Sequence, residues 1–467
     1  MADEHLELTA HLLRRAGAGA TREELEAAAA QPYAELVEDL LHPERAPDLD
    51  DDLLFRYFPA LVNADTPHIW SGRWIWRMAN THRPLEEKMA LFWHHVFATG
   101  WFKSEHTSTM VAQVQMLREN GLGNLRTILL QLSRDPAMIF WLDNCESHAA
   151  APNENYGREL LELFSMGIGN YTETDVKMAG RAFTGWTFQQ PIPLYPYGLY
   201  PAKFLYNAAD HDDSEKTFLG HTGRLNGEDI IDIIVKQEAT ARFIARHLYN
   251  FFVADEPQVS AWSVMPPQDP AAIDALAGAF MASDGDMREV MRVLLNADWF
   301  KAARFKRVKC PAEFIAAVLK LSGAMREPEP ALAGVGIQTQ IMGQALFDAP
   351  SVEGWHTGKE WIDGGTLTDR VNFAVAQVRD PKKPGVQAII RRLGANGSPV
   401  TPADFVRRAL ELAGPVQASA DTRAVLQAAA EAGGDLRFDD EAATTESGQR
   451  VARMLSLIVA APEYQFA

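Results

Sequence analysis

The chain has 467 residues, of which 47% are hydrophobic and 23% are charged, and its formal net charge at pH 7 is -18. This composition is typical of a globular protein with a sizeable core. The negative charge argues against non-specific binding to nucleic acid or to an anionic membrane surface, because both would repel the chain. Two cysteines, Cys145 and Cys310, are too few for a disulfide framework.

The N-terminal region, residues 1–60, is predicted to be a group of helices. Thr21 is followed three residues later by Glu24, which is the pattern of a helix capping box. The first residues lack the basic start and the apolar run of a signal peptide. The chain also lacks a stretch of about 18 apolar residues, the length that a membrane span needs. We therefore expect a cytoplasmic protein without a membrane span.

A helix is predicted to begin at Pro84, because proline favours the first position of a helix. Its apolar residues recur with helical spacing as far as Val96, and His94 and His95 lie among them. Adjacent residues on a helix point about 100° apart. Only one of the two histidines is therefore expected to face any given site.

Residues 153–188 have the pattern of two helices separated by a glycine-containing turn. On the first helix, which is expected to reach residue 166, the side chains of Asn155, Glu159 and Glu162 share one face. Two carboxylates one helical turn apart can share a metal, a proton or a pair of cations. This stretch is the most promising part of the chain for a functional site.

The second helix of this stretch carries Arg181 and runs into Trp186, after which a segment rich in Pro, Tyr and Gly begins. That segment, residues 189–222, carries His211 and Asp212 and lacks helical periodicity. A loop of this length in a compact protein is usually either functional or disordered, and its aromatic residues favour order. We predict that it covers the functional site and contains at most a short hairpin.

Helical periodicity resumes at residue 227 and continues towards the C-terminus, interrupted by a glycine-containing loop that carries Trp355. Residues 61–380 are predicted to form a helical core with the motif residues, and residues 381–467 to form C-terminal helices packed on it. Residues 418–448, rich in Ala, Asp and Glu, are predicted to be mobile in part. The fold class predicted is mainly α: a large multi-helix globular body with long ordered loops and few or no strands.

Six motifs follow one another along the chain: FWHHVFATG, RDPAMIFWLDN, NENYGRELLELFSMGIGNYTETDV, RAFTGWTF, HDDSEKTFLG and MGQALFDAPSVEGW. Together they resemble the bacterial "domain of unknown function 1800" family over most of the chain. The resemblance implies an α-helical protein and supplies no reaction. Members often carry export signals, which this chain lacks, so their location is not carried over. Many members have a histidine at the position of Phe164; if that histidine binds a metal in relatives, this chain lacks one ligand.

Glu159 and Glu162 permit three interpretations. They can belong to a structural ion-pair network with Arg158, Arg181 or another arginine, and such networks also shift pKa values. They can bind a metal together with His94 or His95, as side chains of facing helices do in helical bundles, although the chain contains no HExxH motif. They can also act as general acid and base on a glycosidic or ester bond, which requires that one carboxyl holds a proton.

A pair of carboxylates one turn apart is too close to flank a sugar, so the acid–base interpretation needs a further carboxylate such as Asp143, Glu154 or Asp212. Trp186 and Trp355 stand next to glycines, where core packing does not require so large a ring. Aromatic faces in a cleft suit sugar rings and other flat ligands. These features favour a carbohydrate over a small acid as the substrate.

The leading hypothesis is an enzyme, a hydrolase that acts on a carbohydrate or a related polymer or small molecule. One alternative is a metal-dependent oxidoreductase or hydrolase that uses the same His and Glu residues as ligands of a divalent metal. Another is a non-catalytic glycan-binding or scaffold protein. The candidate catalytic residues are Glu159, Glu162, His94 and His95, and the candidate substrate-binding residues are Asn155, Arg181, Trp186, His211, Asp212 and Trp355.

Overall fold

In the computed structural model, which describes residues 2–57, 59, 65–190, 202–257, 262–395 and 399–467, the chain forms twenty-four α-helices and four short strands. The predicted mainly α fold is thereby confirmed. The first eight helices are α1 (Ala2–Ala16), α2 (Arg22–Ala28), α3 (Tyr33–Leu41), α4 (Asp51–Tyr57), α5 (Pro67–Asn80), α6 (Pro84–Val96), α7 (Trp101–Ser104) and α8 (Thr107–Asn120).

The middle of the chain contains helices on both sides of the strands. The four helices before the strands are α9 (Leu125–Ser133), α10 (Pro136–Trp141), α11 (Asn155–Glu162) and α12 (Glu173–Ala182). The strands are β1 (Trp186–Gln189), β2 (Lys203–Tyr206), β3 (Lys216–Phe218) and β4 (His221–Gly223). The next helices are α13 (Gly227–Ile234), α14 (Glu238–Phe252), α15 (Pro270–Ala282), α16 (Met287–Asn296), α17 (Asp298–Lys301) and α18 (Pro311–Ser322).

The remaining described elements are all helical. They are α19 (Leu332–Ile341), α20 (Gly364–Val378), α21 (Pro384–Gly394), α22 (Pro402–Leu412), α23 (Ala420–Glu431) and α24 (Glu441–Ala460). Residues 418–448 include α23 and the start of α24, and the partial mobility expected from their composition stays a prediction. Ser419 and Asp440 cap these two helices, and the buried side chain of Leu426 anchors α23.

Local sequence signals explain where several helices begin and end. Thr21 and Glu24 form the predicted capping box at the start of α2. The helix α11 is shorter than predicted, because it ends at Glu162 rather than at residue 166. The chain leaves the helix through Gly167, whose φ is +78° and whose N–H donates to the carbonyl oxygen of Leu161 at 3.0 Å.

The strands form two small antiparallel sheets in the described part of the chain. β1 pairs with β2, so that Trp186 lies opposite Tyr206, and β3 pairs with β4. The turn between β3 and β4 consists of Leu219 and Gly220, both with positive φ, as two-residue hairpins require. The predicted short hairpin is therefore one of two.

The core is a cluster of buried apolar residues that extends from Leu12 to Tyr464. It crosses the predicted boundaries at residues 60 and 380, and those boundaries stay a prediction. The helices α5 and α19 pack especially closely, because Gly72 and Gly336 face each other across them. A Cβ atom on either glycine would overlap a carbonyl oxygen of the facing helix.

A buried ion-pair network joins α5, α6 and α8 within this core. Glu87 is only 1% exposed, and its carboxylate accepts hydrogen bonds from Arg77 at 2.8 Å, from Arg118 at 2.9 and 3.0 Å and from the Trp74 indole at 2.9 Å. These cations hold the pKa of Glu87 below its ordinary value despite the opposing effect of burial. The network fixes α6, which carries His94 and His95, in the core.

Candidate functional site

A cavity of about 900 Å³ lies where the end of α6, the segment after α11, the middle of α14 and the loop between α19 and α20 meet. Its volume falls in the upper part of the range of roughly 300–1,000 Å³ that is typical of small-molecule sites. Of the residues predicted from the sequence, the structure brings His95, Glu162 and Trp355 together in its wall. We therefore treat this cavity as the candidate functional site.

His95 lies in the last turn of α6, half-buried, with its ring stacked on the indole of Trp355 at a centroid distance of 6.1 Å and an interplanar angle of 17°. Gly354 permits this close approach, because a Cβ atom there would lie 2.7 Å from the carbonyl oxygen of His95. Burial and the charge of Arg307 lower the pKa of His95 to about 4. The imidazole is therefore neutral at pH 7, so one ring nitrogen can donate a hydrogen bond and the other can accept one.

His247, on α14, is a second histidine in the cavity wall and is not among the residues predicted from the sequence. Its ring packs between Phe243 and Trp262, with centroid distances of 4.4 and 4.6 Å. Burial, followed by the charges of His95 and Arg246, lowers the pKa of His247 to about 3. Both histidines lie in the wall of the same cavity. The sequence signal for His247 is the polar pair that it forms with Arg246 within the apolar pattern of α14.

Glu162 and Glu353 are carboxylates that face the cavity, the first half-buried and the second exposed at the rim. The Oε2 atom of Glu162 accepts a hydrogen bond of 2.9 Å from the hydroxyl of Tyr171. Glu159, one turn earlier on α11, is half-buried and is not among the residues that line the cavity, but its carboxyl lies within electrostatic range of both. Burial and the charge of Glu162 raise the pKa of Glu159 to about 7, with Arg158 opposing this effect and Glu353 adding to it. A carboxyl that keeps its proton near neutral pH therefore lies beside two carboxylates of the cavity.

The arginine next to these glutamates is engaged elsewhere. Arg158 donates to both carboxylate oxygens of Glu173, at 2.8 and 2.7 Å, and lies 3.7 Å from Glu154. Within the described ranges of the chain, no ion pair joins Glu159 or Glu162 to a cation. This geometry disfavours the interpretation of the two glutamates as members of an ion-pair network.

A family model described as "Protein of unknown function (DUF1800)" matches residues 11–466. The chain belongs to the DUF1800 family. Comparisons with curated proteins and with solved structures found no match. Three of the six motifs that carry the resemblance supply the residues of the cavity: His95, Glu162 and Trp355 each lie in a different one. The description of the family names no reaction for these residues.

His94 of this DUF1800 protein faces away from the cavity. It is fully buried, and its Nε2 atom accepts a hydrogen bond of 3.0 Å from the backbone N–H of Phe347. Burial, with a smaller effect of His95, lowers the pKa of His94 to about 3. As helical geometry predicts, only one histidine of the pair lines the site, and His94 holds the loop after α19 in place.

Arg181, Trp186, His211 and Asp212 form a separate group that fixes the hairpins against α12. Arg181 donates to Asp212 at 2.6 Å, and Nδ1 of His211 donates to the carbonyl oxygen of Thr184 at 2.9 Å. Trp186 is buried beneath them. None of these four residues of the described chain lines the cavity. The hydrogen bonds of Arg181, His211 and Asp212 hold the hairpins in place, which accounts for these polar residues.

Asn155 and the predicted lid also lie apart from the cavity wall. Asn155 is exposed at the first position of α11. The described residues of the segment 189–222 contribute no side chain to the wall. Residues 191–201 lie outside the described part of the chain, and for them the lid stays a prediction.

The metal-binding interpretation has no ligand set in the described part of this DUF1800 protein, where no group of three or more His, Cys, Asp or Glu side chains is arranged to hold a metal ion. Phe164 is fully buried and packs edge-on against Phe97 at a centroid distance of 5.6 Å. Phe164 is therefore a core residue. Nor does any helix in the described ranges combine the length and the apolar character of a membrane span.

Proposed function

We propose that this DUF1800 protein is a hydrolase that binds a carbohydrate or a related polymer in the cavity. The observation that carries the proposal is the pair of carboxylates Glu162 and Glu353 in the wall of an aromatic-walled cavity, with the carboxyl of Glu159 one helical turn before Glu162. Glu159 keeps its proton near neutral pH, and Glu162 and Glu353 face the ligand. Acid–base hydrolysis of a glycosidic bond needs one protonated and one ionised carboxyl in different environments.

In this proposal Glu159 supplies the proton for the leaving oxygen. Glu353, on the loop that faces α11, is the further carboxylate that the acid–base interpretation requires, because it comes from another segment and is exposed to water. Burial, and after it the negative charge of Glu162, raises the pKa of Glu159 and keeps its proton in place, and Glu162 also accepts a hydrogen bond from Tyr171. The three carboxyl groups thus have three distinct environments.

The neutral rings of the cavity would hold the substrate. His95 and His247 are uncharged at pH 7, so each can donate one hydrogen bond to a hydroxyl group and accept another. Phe243, Trp262 and Trp355 supply apolar surface against which a sugar ring can pack. A carbohydrate has both hydroxyl groups, which can bond to the imidazoles, and apolar ring faces, which can pack on the aromatic side chains.

The test is a panel of soluble polysaccharides and oligosaccharides, with hydrolysis measured as new reducing ends and binding measured by calorimetry. We expect Glu159→Gln and Glu353→Gln to abolish hydrolysis of any substrate found while binding remains. Glu119→Gln, which changes an exposed glutamate on α8, is the matched control and should retain full activity. Full hydrolysis by Glu159→Gln, or no saccharide bound by the wild-type protein, would refute the proposal.

Two further measurements delimit the proposal. Metal analysis of the purified protein, before and after dialysis against a chelator, tests the alternative of a metal-dependent enzyme; loss of activity with the metal would favour that alternative. Binding without hydrolysis in both wild type and Glu159→Gln would favour the glycan-binding alternative. The cytoplasmic location expected from the sequence belongs to the same proposal, and cell fractionation tests it.

A further inference from the structure

Both arginines in the cavity wall are already paired with carboxylates of the protein. Arg246 donates to Glu256 through two nitrogens, at 2.9 and 2.6 Å, and its remaining nitrogen donates to the carbonyl oxygens of Trp262 and Met265 at 2.8 and 2.9 Å. The side chain is only 8% exposed, and these contacts use four of its five N–H donors within the fold. This arginine shapes the wall and does not recognise an anion.

Arg242, the other arginine of the wall, is neutralised in the same way. It donates to Glu238 at 3.0 Å and to Asp274 at 2.8 Å, so two carboxylates surround one guanidinium group. Glu360, a third carboxylate of the wall, lies 3.1 Å from the exposed imidazole of His356. The cationic side chains of the wall therefore leave no uncompensated positive charge in the cavity.

The carboxyl groups at the α11 edge of the cavity, in contrast to the arginines, are not paired with an opposite charge. Glu162 and Glu353 face the cavity and Glu159 adjoins them, and within the described ranges none of the three has an ion-pair partner. A concave wall with charge of one sign concentrates its field on the ligand. The cavity is therefore negative along the edge formed by α11 and the loop that carries Glu353, whereas the two arginines of the wall are paired with carboxylates.

An acidic edge beside aromatic rings selects ligands by charge. Anionic groups such as phosphates or uronates would be repelled, and a neutral hydroxyl would gain no ion pair. A primary ammonium group would pair with Glu162 and Glu353 and could also contact the face of an aromatic ring. We propose that the cavity binds saccharides that carry primary ammonium groups, that is, oligomers of an amino sugar. This inference rests on the proposed function, because it names the substrate class of the same site.

The test compares three oligosaccharides of equal length by calorimetry at low and high salt. They are an oligomer of glucosamine, its fully N-acetylated form and an oligomer of galacturonic acid. We expect the glucosamine oligomer to bind most tightly and to weaken as salt rises, because the ion pairs are screened. We expect the N-acetylated form to bind more weakly without that salt dependence, and the uronate to bind least.

Variants assign the preference to residues. Glu162→Gln should weaken binding of the glucosamine oligomer by about tenfold and leave that of the N-acetylated oligomer within about twofold. Glu119→Gln, which changes an exposed glutamate of α8 outside the cavity wall, is the matched control and should change neither by more than about twofold. Equal losses for both oligomers in Glu162→Gln would mean that the residue shapes the cavity and does not read the ammonium group, and would overturn the inference.

The outcomes separate this inference from the proposed function. If neutral saccharides bind and are hydrolysed without any preference for ammonium groups, the inference is wrong and the proposed function stands. If the glucosamine oligomer binds with the expected preference but is not hydrolysed, the inference stands and the proposed hydrolase activity is wrong. If no saccharide of any charge binds, both are wrong.

Discussion

Replacing Glu159 by glutamine should make the protein more stable at alkaline pH, which is the opposite of what the loss of a buried ion pair would do. The pKa of this carboxyl rises from its ordinary value of 4.5 to about 7. Between these two values the folded protein holds a proton that the unfolded chain has lost. Stability contributed by this group is therefore fully present below about pH 4.5 and is lost as the pH rises through about 7.

The magnitude follows from the same values. At about 1.36 kcal/mol per pH unit, the difference between 4.5 and about 7 gives a ceiling of about 3.4 kcal/mol. Glu159 is partly exposed, so solvent screens its interactions, and we reduce the expected effect to about 1–2 kcal/mol. Glutamine keeps the shape of the side chain and carries no charge at any pH. Glu159→Gln should therefore match the wild type near pH 4.5 and exceed its free energy of unfolding by about 1–2 kcal/mol at pH 8.

The assay is urea unfolding followed by circular dichroism, in steps from pH 4.5 to pH 8. The midpoint of unfolding of the wild type should fall relative to that of Glu159→Gln as the pH rises, and Glu119→Gln, the exposed control, should follow the wild type throughout. A loss of several kcal/mol by Glu159→Gln at pH 8 would refute the reasoning, since removing one partner of a buried ion pair costs about 3–5 kcal/mol.

Three further predictions concern residues around the site. Glu87→Gln should lower the free energy of unfolding by about 3–5 kcal/mol, because it leaves two buried arginines without their shared anion; urea unfolding checks this, and a change below 1 kcal/mol would contradict it. His94→Leu should cost about 1–3 kcal/mol, since the Phe347 N–H loses its acceptor, and calorimetry should show weaker ligand binding, because the His94 ring also packs on Trp355 of the cavity wall at 5.2 Å. Gly354→Ala should lower both the thermal midpoint and ligand affinity, because its Cβ would press on the carbonyl oxygen of His95; Gly364→Ala, with open space at its Cβ, is the control.

The helices were predictable from the sequence because their signals are local. Apolar spacing and capping residues act within a few positions, so the capping box of α2 and the start of α6 at Pro84 appear where they were expected. The end of α11 was not predictable to the residue, since it depends on the conformation of Gly167. Apolar residues with helical spacing, such as Phe164 and Met166, continue beyond Glu162, where α11 ends, so the spacing alone predicted a longer helix.

The site was predictable only in part because a local pattern does not state which polar residues meet. His95, Glu162 and Trp355 were found as unusual polar or aromatic residues in otherwise apolar or glycine-rich surroundings. The same criterion selected Arg181 and Asp212, whose contacts serve the hairpins. It missed His247, whose role depends on how α14 packs beside α6. Ion pairs between different helices and loops distinguish polar residues of the site from polar residues that stabilise the fold. These pairs can be seen only in the three-dimensional structure.

The hydrogen bond between Phe347 and His94 joins positions 253 residues apart. The cavity wall likewise combines residues that are distant in the sequence, such as His95 and Trp355. At about 5–20 residues per second, the ribosome needs roughly 13–50 s to make the intervening chain. Throughout that interval α6 has been synthesised without the loop that carries Trp355. The apolar surface around His95 is then open to chaperones and to aggregation, and the binding site forms only when most of the chain has emerged. A bound ligand would therefore report complete folding and would stabilise no shorter nascent chain.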